Sequence, residues 1–223
     1  MSYKFNVIEG NDWYGIKKAG RKMFGDKDFI MFEPGITILV GCNGSGKTTT
    51  LHQLKNQIDT EDECMYIQYD NMVHGGREAI ANLAFHEDFK GIATQMQSSE
   101  GENIYDNLSR FATKMGQSMT SFKRNSDKSK IFFLFDAADS GFSIDNIIEY
   151  KNFFHFLVDH ECKKLNEDKE VYIIISTNAY EFTVGERCLD VTESEYISFE
   201  NYEQYKKYIL ETKDKKKKRY KWD

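Results

Sequence analysis

Eight consecutive residues, GCNGSGKT from Gly41 to Thr48, carry the most specific chemistry in the chain. They satisfy the pattern G-x-x-x-x-G-K-[ST] in full. Glycines in such a loop let backbone N–H groups turn inward around phosphate oxygens. The helix expected to follow presents the positive end of its dipole to the same anion. Lys47 is placed to reach the β- and γ-phosphates of a nucleotide, and the Thr48 hydroxyl to ligate Mg²⁺. Asn43, Gly44, Ser45, Gly46 and Thr49 complete the set of expected ligand contacts. The loop leaves the fate of the nucleotide open, because kinases, GTPases, helicases and ATP-driven switches share it.

A second acidic position narrows the choice. Four apolar residues, FFLF, run directly into Asp136. A carboxylate at that place, at the carboxyl edge of a sheet, is where an acid that holds Mg²⁺ belongs.

The elements that must position these groups are legible in outline. YKFNVIEG alternates apolar and polar residues and reads as a strand. DFIMFEPGITILVG reads as two strands joined at Pro34-Gly35, the second nearly all apolar, as a strand buried on both faces should be. After Thr48, the spacing of Leu51, Leu54 and Ile58 makes one helical face. CMYIQYD (64–70), SKIFFLFDAAD and VYIIISTNAY contain further strands. Helices are expected over 75–88, from residue 101 onward, over NIIEYKNFFHFLVDHECKKLN, and over ENYEQYKKYILETK. The alternation after residue 35 predicts an α/β fold of the P-loop NTPase type. Its parts are a mainly parallel sheet flanked by helices, an N-terminal antiparallel β portion and a small helical region between the two motifs.

Composition sets the outer bounds. At 223 residues and 40% hydrophobic, the chain supports one sizeable domain, expected over 1–212. The segment 213–223, KDKKKKRYKWD, is a concentrated basic tail on a chain of net charge −6. It reads either as a solvated end or as a contact for nucleic acid or an acidic partner. No apolar run approaches the roughly 20 residues that span a bilayer, and the first residues do not resemble a signal peptide. The expected location is cytoplasmic, with no membrane partner. Four scattered cysteines without C-x-x-C spacing argue against a zinc site.

With both motifs in place, the chain resembles the ATP-binding cassette ATPases, and among them the SMC-like and repair-type branch rather than transporter subunits. The resemblance covers roughly residues 1 to 200. It implies ATP and Mg²⁺ as cofactors and an ATP-dependent, head-to-tail homodimer. SSEGE, Ser98 to Glu102, stands where the family carries its signature loop, so Ser99, Gly101 and Glu102 would face the γ-phosphate held by the other subunit. DSGFS, from Asp139, resembles the D-loop. IIISTN, ending at Asn178, resembles the strand and switch loop that normally ends in His. Gln68 is the candidate for the Gln that senses Mg²⁺ and the attacking water.

Three departures qualify the resemblance. Ala137 stands where the family has Glu, and a methyl group can neither polarise water nor accept a proton. Asn178 is a poorer proton shuttle than His. Only about 50 residues separate Thr48 from the signature, leaving no room for a coiled-coil arm or a large coupling lobe. The implied activity is an ATPase with hydrolysis impaired at Ala137, coupled to a DNA-processing or defence partner such as a nuclease. The alternative is a non-hydrolysing, ATP-binding dimerisation switch. Ala137 is either natural to such a switch or a replacement of Glu that traps ATP. A transporter subunit or a P-loop kinase fits less well.

Overall fold

The computed structural model describes residues 2–6, 29–70 and 100–219, and for residues 70, 100–110 and 217–219 the backbone alone. The helix expected over 75–88, and Ser99, lie outside the described residues.

Strands β1 (Tyr3–Asn6) and β2 (Phe29–Phe32) pair antiparallel as a separate two-stranded sheet. The main sheet has six strands: β3 (Gly35–Val40), β4 (Cys64–Asp70), β5 (Lys130–Asp136), β6 (Glu170–Ser176), β7 (Cys188–Asp190) and β8 (Glu195–Ile197). Their spatial order is β4-β5-β6-β3-β7-β8, parallel throughout except for the β7–β8 pair. Helices α1 (Lys47–Ile58), α2 (Glu100–Arg124), α3 (Ile144–Phe156), α4 (Tyr180–Thr183) and α5 (Tyr202–Arg219) accompany it. A π-helical turn, Leu157–Glu161, and a 3₁₀ turn, Cys162–Lys164, finish the segment expected as one long helix.

Strand alternation divides the core into two layers. On one face Leu39, Phe132, Leu134, Tyr172 and Ile174 meet Leu51, Leu54 and Ile58 of α1, with Phe5 and Phe32 of the small sheet. On the other, Val40, Phe133, Phe135, Ile173 and Ile175 meet Phe111, Met115, Met119 and Phe122 of α2 and Phe154 of α3. Because β5 and β6 are covered on both sides, they read as unbroken apolar runs. Each fully buried side chain of this kind contributes about 1.5–3 kcal/mol. This two-sided packing fixes the ends of β3, β5 and β6 side by side.

The basic segment departs from expectation. Residues 214–219 continue α5 beyond Lys213, where the expected helix ended. Lys and Arg are good helix formers, and cations near a helix C-terminus interact favourably with its dipole. Lys215 also bonds Glu193 at 3.0 Å. No helix of the described residues is long and apolar enough to cross a membrane.

Candidate functional site at the carboxyl edge of the sheet

The loop 41–46 leaves β3 and enters α1 through three left-handed glycines, Gly41, Gly44 and Gly46, at the first two of which a side chain would also meet a neighbour. At Gly41 (φ +148) a Cβ would strike Ser45, and at Gly44 (φ +70) it would strike the Lys216 ammonium. Ser45 N–H donates to the Cys42 carbonyl at 3.0 Å, which closes the turn. Gly46 forms the N-cap of α1, where no side chain caps the helix and the first turn carries no acidic residue. A helix entrance of that kind favours an anion. Thr49 lies in this first turn, and the buried Thr50 hydroxyl donates back to the Gly46 carbonyl at 2.9 Å.

Lys47 is buried. Its ammonium donates to the Gly41 carbonyl at 2.7 Å, the Cys42 carbonyl at 3.4 Å and Asn178 Oδ1 at 2.9 Å. All three acceptors are neutral. Burial lowers its pKa, while Asp139, Cys42 and Asp136 act in the opposite sense and Lys216 adds to the lowering.

Asp136, at the end of β5, is buried, and its Oδ1 accepts from Thr48 Oγ1 at 3.1 Å and from Ala137 N–H at 3.0 Å. Adjacent ligands of an octahedral Mg²⁺ with metal–oxygen bonds of 2.0–2.1 Å stand ~3.0 Å apart. The hydroxyl and the carboxylate therefore already have the separation and the hard-oxygen chemistry that Mg²⁺ takes. Ala137 adopts φ +50, a left-handed conformation uncommon outside glycine.

Asn178 ties the edge together. Its backbone N–H donates to Asp139 Oδ1 at 3.1 Å, its side chain accepts from Lys47, and its carbonyl accepts from the Tyr205 hydroxyl of α5 at 2.6 Å. Lys47, Thr48, Asp136 and Asn178, predicted from separate motifs, thus share one connected cluster.

Other expected positions fall differently. The β4–β5 register pairs Gln68 with Leu134 and Asp70 with Asp136. The strand runs two residues beyond Gln68, so Asp70 holds the place beside the acid. Gly101 and Glu102 lie in the first turn of α2. A second cation that sequence reading did not single out also reaches the loop, since the Lys216 ammonium donates to the Asn43 carbonyl at 2.9 Å. Two signals for these positions were available. CMYIQYD ends in Asp as the neighbouring strand does, and nothing between Lys213 and Arg219 breaks a helix.

No protein-family model and no curated protein matches this chain.

A second polar cluster competes poorly as a metal centre. Ligand atoms of Glu61, Glu63 and Cys64 lie within 4.8 Å of one another. Burial, followed by Glu61, pushes the Cys64 thiol up to about 12, so it stays protonated, with Glu61 as its hydrogen-bond acceptor at 3.2 Å. Glu63 is already bound to Lys130 and Ser129.

Proposed function

We propose that the chain binds Mg²⁺–ATP at the loop 41–48 and closes head-to-tail with a second copy around two nucleotides, as ATP-binding cassette ATPases do. One observation carries the reading. A buried lysine satisfied only by neutral oxygens sits at an uncapped helix entrance, beside a hydroxyl–carboxylate pair at Mg²⁺-ligand spacing. The backbone N–H groups of the loop and the Lys47 ammonium bind the phosphates. Thr48 and Asp136 hold Mg²⁺, which supplies charge neutralisation on the phosphate oxygens. Asn178, already bonded to Lys47, takes the γ-phosphate side, and Asp139 holds its backbone in place.

The order of the remaining segments supports the dimer. The start of α2 with Gly101 and Glu102 comes between loop and acid, and Asp139 follows the acid. The signature residues Ser99 and Gly101 complete the site of the other copy. Sedimentation with ATP, with ADP and without nucleotide tests this, since ligand that favours the dimer shifts the equilibrium by mass action. ATP alone should produce dimers, and Ser99→Arg should block them while leaving ATP bound. A monomer under all three conditions, or equal dimer in all three, would refute the sandwich.

The described residues offer little for hydrolysis. Ala137 carries no proton acceptor at the position after Asp136. Among the described residues, Asp139 stands two positions beyond Ala137, but its Oδ1 already accepts from Asn178 N–H. The ATP state is accordingly long-lived, and the dimer it forms is what a partner such as a nuclease, another effector or DNA would read.

A further inference from the structure

Helix α5 reaches the loop by a simple periodicity. Tyr205 and Thr212 are buried, and Phe199 packs on the rings of Tyr205 and Tyr208. Residues 205, 208 and 212 form one stripe at helical spacing, and the next place on it, one turn later, is Lys216. The stripe therefore delivers a lysine where a core helix would deliver an apolar side chain. Its ammonium rests on Asn43, next to the two carbonyls that hold the Lys47 ammonium. Two cations from opposite ends of the chain thus stand on three consecutive carbonyls of one loop. No carboxylate among the described residues forms an ion pair with Lys216. Gly44 keeps this approach open, because any side chain there would meet the ammonium.

Space remains beside Asn43. A recess of about 270 Å³ separates the loop from α5, lined by Asn43, Asn178, Tyr205 and Lys206 among others. It brings Asn43, the residue under Lys216, to the same opening as Asn178, the residue bonded to Lys47. With Asn178 taking the γ-phosphate side as proposed above, the terminal phosphate of a nucleoside triphosphate would stand at this opening, beside the carbonyl that Lys216 occupies.

We propose that Lys216 is a second phosphate-binding cation of this site, leaving the Asn43 carbonyl for the terminal phosphate of a bound nucleoside triphosphate, so that α5 is a strap reporting nucleotide occupancy. This rests on the loop being a nucleotide site. The exchange is favourable because the ammonium trades a neutral carbonyl for an oppositely charged oxygen, which adds Coulomb attraction to the hydrogen bond. It assigns this part of the basic segment to nucleotide, not to nucleic acid. The strap is held to the switch loop through Tyr205 and Asn178, so a ligand that moves Lys216 bears on both.

The test is titration of the full chain with fluorescently labelled ATP and ADP in Mg²⁺, for the unaltered protein, Lys216→Ala, Lys216→Arg, Lys215→Ala and Lys47→Ala. Lys216→Ala should weaken ATP about tenfold and ADP by less than about threefold, with Lys216→Arg restoring most of the loss. Lys215→Ala should bind as the unaltered chain does, and the thermal midpoints without nucleotide should coincide. Unchanged ATP affinity in Lys216→Ala, with binding lost in Lys47→Ala, would overturn the strap and leave the nucleotide site standing. Equal weakening of ATP and ADP would also overturn it, since that marks support of the loop rather than contact with the terminal phosphate. Undiminished ATP binding in Lys47→Ala would sink the nucleotide site and the strap with it.

Discussion

The two ends of the central strands hold the same residue types in opposite conditions. At the amino edge Lys130 forms a 2.6 Å ion pair with Glu63, and Ser129 donates to the same carboxylate. Burial works against the Lys130 ammonium, but Glu63, with smaller help from Cys64 and Glu170, outweighs it and raises the pKa. At the carboxyl edge burial wins, and the pKa of Lys47 falls. Lys47 bonds carbonyls and an amide instead of a carboxylate, although Asp136 and Asp139 are close by. The first arrangement is complete within the chain. The second leaves a buried charge with exchangeable neutral partners beside an uncapped helix, the arrangement our proposal reads as prepared for an anion. That difference, more than the glycine pattern, separates the proposed binding edge from a structural one.

The largest effect expected concerns Ala137. Ala137→Glu should increase phosphate release by about 10²–10⁴-fold, the usual contribution of a general base. A steady-state phosphate assay on both chains measures this. No increase would favour the non-hydrolysing switch over the impaired ATPase.

A smaller effect separates the lysines by pH. The folded pKa of Lys47 lies below its ordinary 10.5, so in the alkaline range it loses its proton before a solvated lysine would. A bound polyanion favours the charged form. ATP binding should therefore take up a proton and weaken as pH rises through that lowered value. Lys47→Arg, which stays charged throughout, should flatten the curve. Lys130, with its raised pKa, keeps its stabilising pair through the same interval and loses it only as pH rises through its own higher value. A curve that bends no earlier than an ordinary lysine would contradict the reading of Lys47.

The smallest effect belongs to the amino edge. Glu63→Gln breaks an exposed ion pair worth at most about 1 kcal/mol. Urea unfolding should register that loss, and ATP affinity should be unchanged. A large loss of ATP binding would erase the contrast between the two edges.

Much of the fold was legible because burial on both faces writes itself as apolar runs, as in KIFFLFD and VYIIIS. The glycine loop was legible because its backbone geometry demands particular residues. Strands β7 and β8, three residues each, are too short to produce a period, and their pairing is set by neighbours rather than by their own sequence. Gln68 was singled out through the resemblance, and its pairing with Leu134 depends on β5, not on β4 alone. Lys216 was missed for two reasons. A lysine run reads as solvated, and its partner Asn43 lies 173 residues away. Only the docking of Tyr205 and Tyr208 carries that helix back to the loop.

The central claim is that this loop is a nucleotide site with Lys47 as its principal cation. Calorimetric titration of the full chain with Mg²⁺–ATP, beside Lys47→Ala, tests it most directly. The unaltered chain should bind saturably at one site per chain. Lys47→Ala should lose at least about thirtyfold in affinity, the scale expected when a buried charged contact is truncated. Equal affinity in the two proteins, or no heat of binding in the unaltered chain, would contradict the account.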